Sequence, residues 1–460
     1  MSSIPRNHKN ENDISDFVTK FMKEFQIGKL LFQCNAGKLK GIPIVDVFRY
    51  LFSLIFSDRS MYMQRKTGVY DAGFSKNTVY RFLNSTKTNW LRFTTLLSEK
   101  IINGFMKPLT DDSRKDVFII DDSLFDRSRS GKTELLAKVF DHCSMKYKRG
   151  FRMLTLGWSD GNSFIPVNHC LLSAADDKNL LCNAGNFDGR SLAGKRRKQS
   201  RRKATEVMVD LVRTAQQSGL TAKYVLFDSW FSSPKTITTL KQERKLDVIA
   251  MVKKSSKVRY AYQGEMLDIK KIYSKNRKRR GRSKYLLSIE VTVGDKAIPA
   301  KIVCVRNKSK KKDWLAIIST DTSLTEEEII RVYGKRWDIE VFFKSCKSYL
   351  RLVKECRSLS YDALTAHVSI VFARYMMLSV AQRKNEDDKT ICELFFCLVD
   401  ELDDITFSYS MHIIIDALMD TVMEYFHITE QQLEEFTASF VQRLPKYMQE
   451  ALLYGQKKVA

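Results

Sequence analysis

The chain of 460 residues is 44% hydrophobic and 28% charged, with a formal net charge of +25. Such a composition builds globular structure of roughly two to four domains and excludes disordered or fibrous classes. The opening MSSIPRNHKN has no apolar leader, and the apolar run at 368–381 is short for a bilayer span and contains Arg374, so neither secretion nor membrane insertion is expected.

Nine cysteines without paired spacing suggest free thiols in a reducing, cytoplasmic setting. His142-Cys143 and His169-Cys170 have no accompanying CxxC and do not read as a zinc site. The charge is unevenly spread. Residues 353–460 hold ten Lys and Arg against seventeen Asp and Glu, so the whole positive excess lies in residues 1–352. There it concentrates in KRRKQSRRK (195–203), KNRKRRGRSK (275–284) and RNKSKKK (306–312). Each phosphate neutralised releases a counterion, so a nucleic acid is the expected partner.

In chain order, residues 1–110 carry apolar positions at helical spacing, as in DVFRYLFSLIF and LRFTTLLSEKIINGF. Within them SKNTVYRFLN opens on a serine suited to an N-cap and sets Lys76, Thr78 and Arg81 at exposed-looking positions, as a DNA-reading helix or an ordinary bundle helix would. At 117 the period becomes strand-like. VFIIDDS ends in two aspartates, and FRMLTLGW, the turn SDGN and SFIPVNHCLL predict a strand, turn and strand. A helix is predicted over 203–218, then the strand YVLFDSWF ending at Asp228, the helix PKTITTLKQER and the strand LDVIAMVKK. That order is α/β patterning around a mixed sheet. Residues 255–321 return to β in LLSIEVTVGD, AIPAKIVCVRN and WLAIISTD. The next helix starts near TSLTEEEII, where Thr322 or Ser323 can cap and the acidic triplet complements the dipole. Residues 353–460 read as helices, among them DALTAHVSIVFARYMML, ICELFFCLVDEL and EEFTASFVQRL, with packing or dimerisation as their expected role.

The chemistry is expected at three acids. Strand-end aspartates gather at the carboxyl edge of a parallel-containing sheet, and both VFIID and YVLFD deliver one there. In YGKRWDIEVFFKSCK (333–347), Tyr333, Arg336, Glu340 and Lys347 share one stripe of a single predicted helix beside its apolar face. A solvated charged face is the ordinary explanation of such a stripe, and strand-end acids also cap turns. Together, three carboxylates and a cation-rich stripe suit divalent ions and an in-line displacement at phosphorus. Trp314, following RNKSKKK, suits stacking on an unpaired base or burial at an edge. SGKTELL lacks the first glycine of a phosphate loop, where Asp126 stands instead.

With those residues, the chain resembles the bacterial DDE transposases of insertion sequences, the family-four group with the Y-x2-R-x3-E-x6-K signature. Tyr333, Arg336, Glu340 and Lys347 match it without a gap, FIIDDS resembles the first aspartate motif D-x-[ST], and LFDSWF the second. The resemblance implies an α/β, ribonuclease-H-like mixed-sheet catalytic core at 111–254 and 322–352 with an all-β insertion at 255–321. A helical DNA-binding region at 1–110 and a helical, dimerising region at 353–460 would flank it. It implies Asp121, Asp228 and Glu340 as catalytic metal ligands for Mg²⁺, with Mn²⁺ as a substitute. Asp122 also precedes Ser123 and competes for the first metal position, although D-x-[ST] aligns on Asp121. Tyr333, Arg336 and Lys347, with Lys344 beside them, would hold DNA phosphates, and Trp314 would receive a flipped base. The implied partners are double-stranded DNA, as terminal inverted repeats and target, and a second copy in a paired-end complex. The implied reaction is cut-and-paste transposition, often through a hairpin, on the bacterial nucleoid. A non-catalytic DNA-binding regulator and a related nuclease of the same fold are the competing expectations.

Overall fold

The structure, a computed structural model, describes residues 11–37, 40–56, 60–110, 114–141, 144–279, 283–307 and 313–384, with positions 429, 432, 439 and 442. The chain divides into a large unit, Met1–Ile55 with Arg59–Leu398, and a small one, Phe56–Asp58 with Val399–Ala460. Nearly all described residues belong to the large unit. The helix predicted in ICELFFCLVDEL, that in EEFTASFVQRL apart from positions 439 and 442, nearly all of the expected dimerising region after residue 384, and His142-Cys143 lie outside the described residues, as do 280–282 and 308–312 of the basic runs.

The first helices are α1 (Glu11–Glu24), α2 (Ile27–Gln33), α3 (Ile44–Ser53), α4 (Met61–Lys66), α5 (Lys76–Leu83) and α6 (Trp90–Ile101). Their apolar spacing explains their packing: Val47, Phe48, Leu51 and Phe52 of α3 are buried, and Phe48 meets the ring of Phe93 on α6 edge-on at 5.4 Å. On α5, Ser75 occupies the N-cap position without a side-chain cap bond. Thr78, expected outside, is buried, while Lys76 and Arg81 are exposed, because Thr78 shares the inward face with Val79 and Phe82.

Strands β1 (Val117–Asp126), β2 (Ala137–Asp141), β3 (Lys146–Ser159) and β4 (Phe164–Leu172) follow, then helices α7 (Leu192–Ser200) and α8 (Ala204–Gln217). Next come β5 (Tyr224–Phe227), α9 (Pro234–Glu243) and β6 (Asp247–Met251). β1 pairs antiparallel with β3 and parallel with β5, and β5 pairs parallel with β6. β2 and β4 share the outer edge of β3, taking Lys146–Gly150 and Arg152–Ser159 respectively. This mixed α/β sheet is consistent with a ribonuclease-H-like core. The apolar runs in β1 and β5 are buried residue after residue, as central strands covered on both faces require.

The sheet does not end at β6. Strands β7 (Arg259–Tyr262) and β8 (Glu265–Asp268), helix α10 (Ile269–Lys275), and strands β9 (Leu287–Val293), β10 (Ile298–Arg306) and β11 (Trp314–Ser319) return to its edge. There β11 pairs antiparallel with β6, completing an eleven-stranded sheet. β2, α7, β7, β8 and α10 are elements that the sequence pattern did not separate, and α10 puts a helix within the stretch expected to be all-β. α7 covers much of the basic run at 195–203, and its middle is structural: Arg197 is 5% exposed and bonded to Glu134 and Asp362.

Helices α11 (Glu326–Gly334), α12 (Trp337–Ser348) and α13 (Tyr361–Lys384) close the described fold. α11 begins at a capping box built by Thr325 and Glu328, not at Thr322 or Ser323; the Ser323 hydroxyl instead donates to the Asp321 carboxylate. The single helix expected across 333–347 is two helices, broken at Lys335 and Arg336. At the break the Lys335 ammonium donates to the carbonyls of Lys115 and Asp160, and Asp338 accepts from the Ser159 hydroxyl. α13 is the one described helix long and apolar enough to cross a membrane, and it is enclosed by protein instead. Its Arg374, 1% exposed, pairs with both oxygens of Glu355 and donates to the carbonyls of Leu51 and Phe52.

Candidate active site

β1 outruns β5. The parallel pairing stops at Ile120↔Phe227, while the antiparallel pairing with β3 continues to Asp126. Asp121 and Asp228 are therefore the next residues on adjacent strands, which lie about 4.8 Å apart. Alternation along β1 then separates the two neighbouring aspartates. Asp121 and Ser123 face α12, where Arg336 reaches the Asp121 carboxylate at 3.3 Å and Lys347 donates to the Ser123 hydroxyl. Asp122 takes the other face and is gripped by both arms of the Arg152 guanidinium, diagonal to it on β3. Both neighbouring aspartates are paired with an arginine, Asp122 with Arg152 and Asp121 with Arg336, and alternation sets only Asp121 on the face toward α12.

α12 brings Glu340 to the same place. The Arg336 guanidinium bridges the carboxylates of Asp121 and Glu340, and its charge also acts on Asp228. Tyr333, at the end of α11, packs its ring 5.9 Å from the Arg336 guanidinium carbon. Four of the predicted site residues, Asp121, Asp228, Arg336 and Glu340, are thus brought together. Tyr333 and Lys347 border them, and Lys344 is exposed on α12. Trp314 is placed at the start of β11, stacked on Tyr273 at 4.1 Å with the Lys254 ammonium 4.2 Å from its ring centre. Lys76 and Arg81 sit on the exposed side of α5.

The electrostatics are unbalanced. Burial, then the charges of Asp228 and Asp122, push the Asp121 carboxyl up to about 7 against the pull of Arg336. Asp228 is also raised, by burial first, although the N–H groups of Trp230 and Phe231 oppose it. Burial likewise pushes the Tyr333 phenol up. Crowded acids of this kind attract a cation, and carboxylate oxygens suit hard divalent ions better than zinc. Among the described residues no group of three or more His, Cys, Asp or Glu is already gathered into a metal cage. The place such an ion would take between Asp121 and Glu340 is spanned by Arg336. The donor set therefore fits a divalent metal, provided the guanidinium moves aside.

Sequence reasoning missed the partners that fix these acids. Arg152 was readable only as a lone cation in the apolar FRMLTLGW, and the role of Ser123 only as the last residue of D-x-S. Trp230, two residues after Asp228, had no signal beyond its position.

A family model described as DDE superfamily endonuclease matches residues 49–315, more than half of the chain. The match includes Asp121 and Asp228 and ends before α11 and α12. Endonucleases of this superfamily generally use divalent metals and act on DNA. A search of curated proteins found no match.

Proposed function

From the premise that the chain belongs to the DDE superfamily endonucleases, we propose that it is an insertion-sequence transposase. It cleaves the terminal inverted repeats of its own element and joins them to target DNA by Mg²⁺-dependent phosphoryl transfer, working as a homodimer by cut-and-paste. One observation carries this reading: the Arg336 guanidinium bridges acids from β1 and α12, and its charge also acts on Asp228 at the end of β5.

Asp121, Asp228 and Glu340 would hold the metal, with Mn²⁺ able to replace Mg²⁺. When bound, divalent ions supply Lewis acidity at phosphorus and neutralise the charge that builds there. The remaining work belongs to the chain. Arg336, released from the acids, offers its fork to a phosphate, and Lys347 adds a point charge from the Ser123 side. Tyr333, kept protonated by burial, is a donor to a phosphate oxygen. Lys344 extends the cationic surface along α12, and Lys76 and Arg81 offer α5 to the duplex. Trp314 would receive a base only by giving up Tyr273 or Lys254.

The test is cleavage of duplex DNA carrying the inverted repeats that flank the gene. Wild-type protein with Mg²⁺ should cut at the repeat end and join the freed end to a second duplex. Glu340→Ala should bind the same duplex without cutting. Binding without cutting by wild type would favour the regulator instead.

A further inference from the structure

The loop that leaves Asp228 is anchored on one side and open on the other. Phe231 and Ser232 are 0% and 1% exposed, whereas Trp230 between them and the acid is 47% exposed. The backbone N–H of Trp230 donates to the Asp228 carboxylate at 2.9 Å, so the indole is tied to the candidate site. Two cations flank the ring: the Arg152 guanidinium carbon at 4.8 Å and the Lys253 ammonium at 5.3 Å from its centroid. Both are within cation–π range. Arg152 is immobilised by Asp122, whereas Lys253 is exposed on a flexible stem.

We propose that Trp230 is a stacking platform for an unpaired nucleobase of the DNA strand entering beside Asp228. The inference rests on the DNA-cutting reading and adds a recognition element to it. Every base has a π-face, so an indole accepts any of them, and flanking cations hold the adjoining phosphates. The base replaces the Lys253 ammonium on the ring, and that ammonium moves to a phosphate. Arg152 stays, because Asp122 holds it. A protein partner would call for apolar neighbours around the indole, but Arg152, Lys253 and Asp228 surround it.

The test is binding of the full chain, without added metal, to two labelled duplexes read by fluorescence anisotropy. One ends in a short unpaired thymidine tail; the other carries the same tail with abasic sites, keeping phosphates and losing bases. Wild type should prefer the thymidine tail by about tenfold, the scale of one base–aromatic stack. Trp230→Ala should erase that preference while leaving abasic-tail binding within about twofold, and Trp230→Phe should keep most of it. Equal weakening on both tails, or a preserved preference in Trp230→Ala, would overturn the platform. Should Trp230→Ala fail to fold, wild type photo-cross-linked to a 5-iododeoxyuridine tail decides: attachment at Trp230 supports the platform, attachment elsewhere overturns it. Wild type that prefers the base but never cuts DNA defeats the nuclease reading alone. Wild type that cuts without the preference defeats the platform alone.

Discussion

Two sites in this protein bury arginines among acids, and they do so with opposite results. Beneath α7 and the start of α13, Arg196 and Arg197 face Glu134 and Asp362, charge for charge. Burial would raise the Glu134 carboxyl, but Arg197 and the N–H groups of Gly185 and Tyr361 overcome it and hold the pKa below its usual value. At the edge of β1 and β5, Arg336 bonds Asp121 and Glu340 and Arg152 bonds Asp122, while Asp228 adds a fourth carboxylate. Asp121 rises to about 7 in consequence, with burial as the first cause. A balanced cluster welds elements together. An unbalanced one stores an affinity for further positive charge, which is the electrostatic mark of a working site.

Breaking each cluster separates the two roles. Asp228→Asn should lower metal-dependent DNA cleavage by about a thousandfold or more, since on the proposed reading it removes a metal ligand that acts in the transition state. Thermal unfolding of that variant should stay level or improve, because a crowded charge has gone. Asp362→Ala should do the reverse. Leaving Arg196 and Arg197 buried without their carboxylate costs about 3–5 kcal/mol, to be read by urea unfolding.

Arg336 sharpens the comparison. It stands where the unbalanced site wants a cation, so Arg336→Gln should bind Mn²⁺ more tightly in the absence of DNA, by about tenfold at an effective dielectric near 20. Isothermal titration measures this directly. The same variant should lose affinity for DNA, where the guanidinium fork is missing.

The smallest expected effect concerns acid stability away from the site. Burial lowers His367 to about 4 and His169 to about 3. Both stay neutral in the fold at pH values where the unfolded chain binds protons. Stability from them is complete above about pH 6.5 and is lost as pH falls toward those lowered values. His169→Gln should flatten the unfolding free energy measured between pH 6.5 and 4 relative to wild type.

Much of the site was legible before the fold. Asp121, Asp228, Arg336 and Glu340 were singled out by strand ends and helical spacing, and the structure brings them together. Alternation already sets Asp121 and Ser123 of D-x-S on one face of β1 and Asp122 on the other. The break between α11 and α12 was not readable: Lys335 and Arg336 keep helical dihedrals, and the carbonyls that Lys335 meets there, of Lys115 and Asp160, are distant in sequence. The basic run at 195–203 misled in part, since its composition suggested a DNA surface while Glu134 and Asp362, distant in sequence, claim Arg197. No local pattern announces such partners.

The most direct test locates a divalent ion on the protein. Anomalous scattering from a crystal soaked in Mn²⁺, alone and with a DNA end, should show manganese between Asp121, Asp228 and Glu340, with the Arg336 guanidinium turned away from them. Manganese bound elsewhere, or Arg336 still bridging Asp121 and Glu340 with DNA in place, would contradict the assignment of this edge as the catalytic centre.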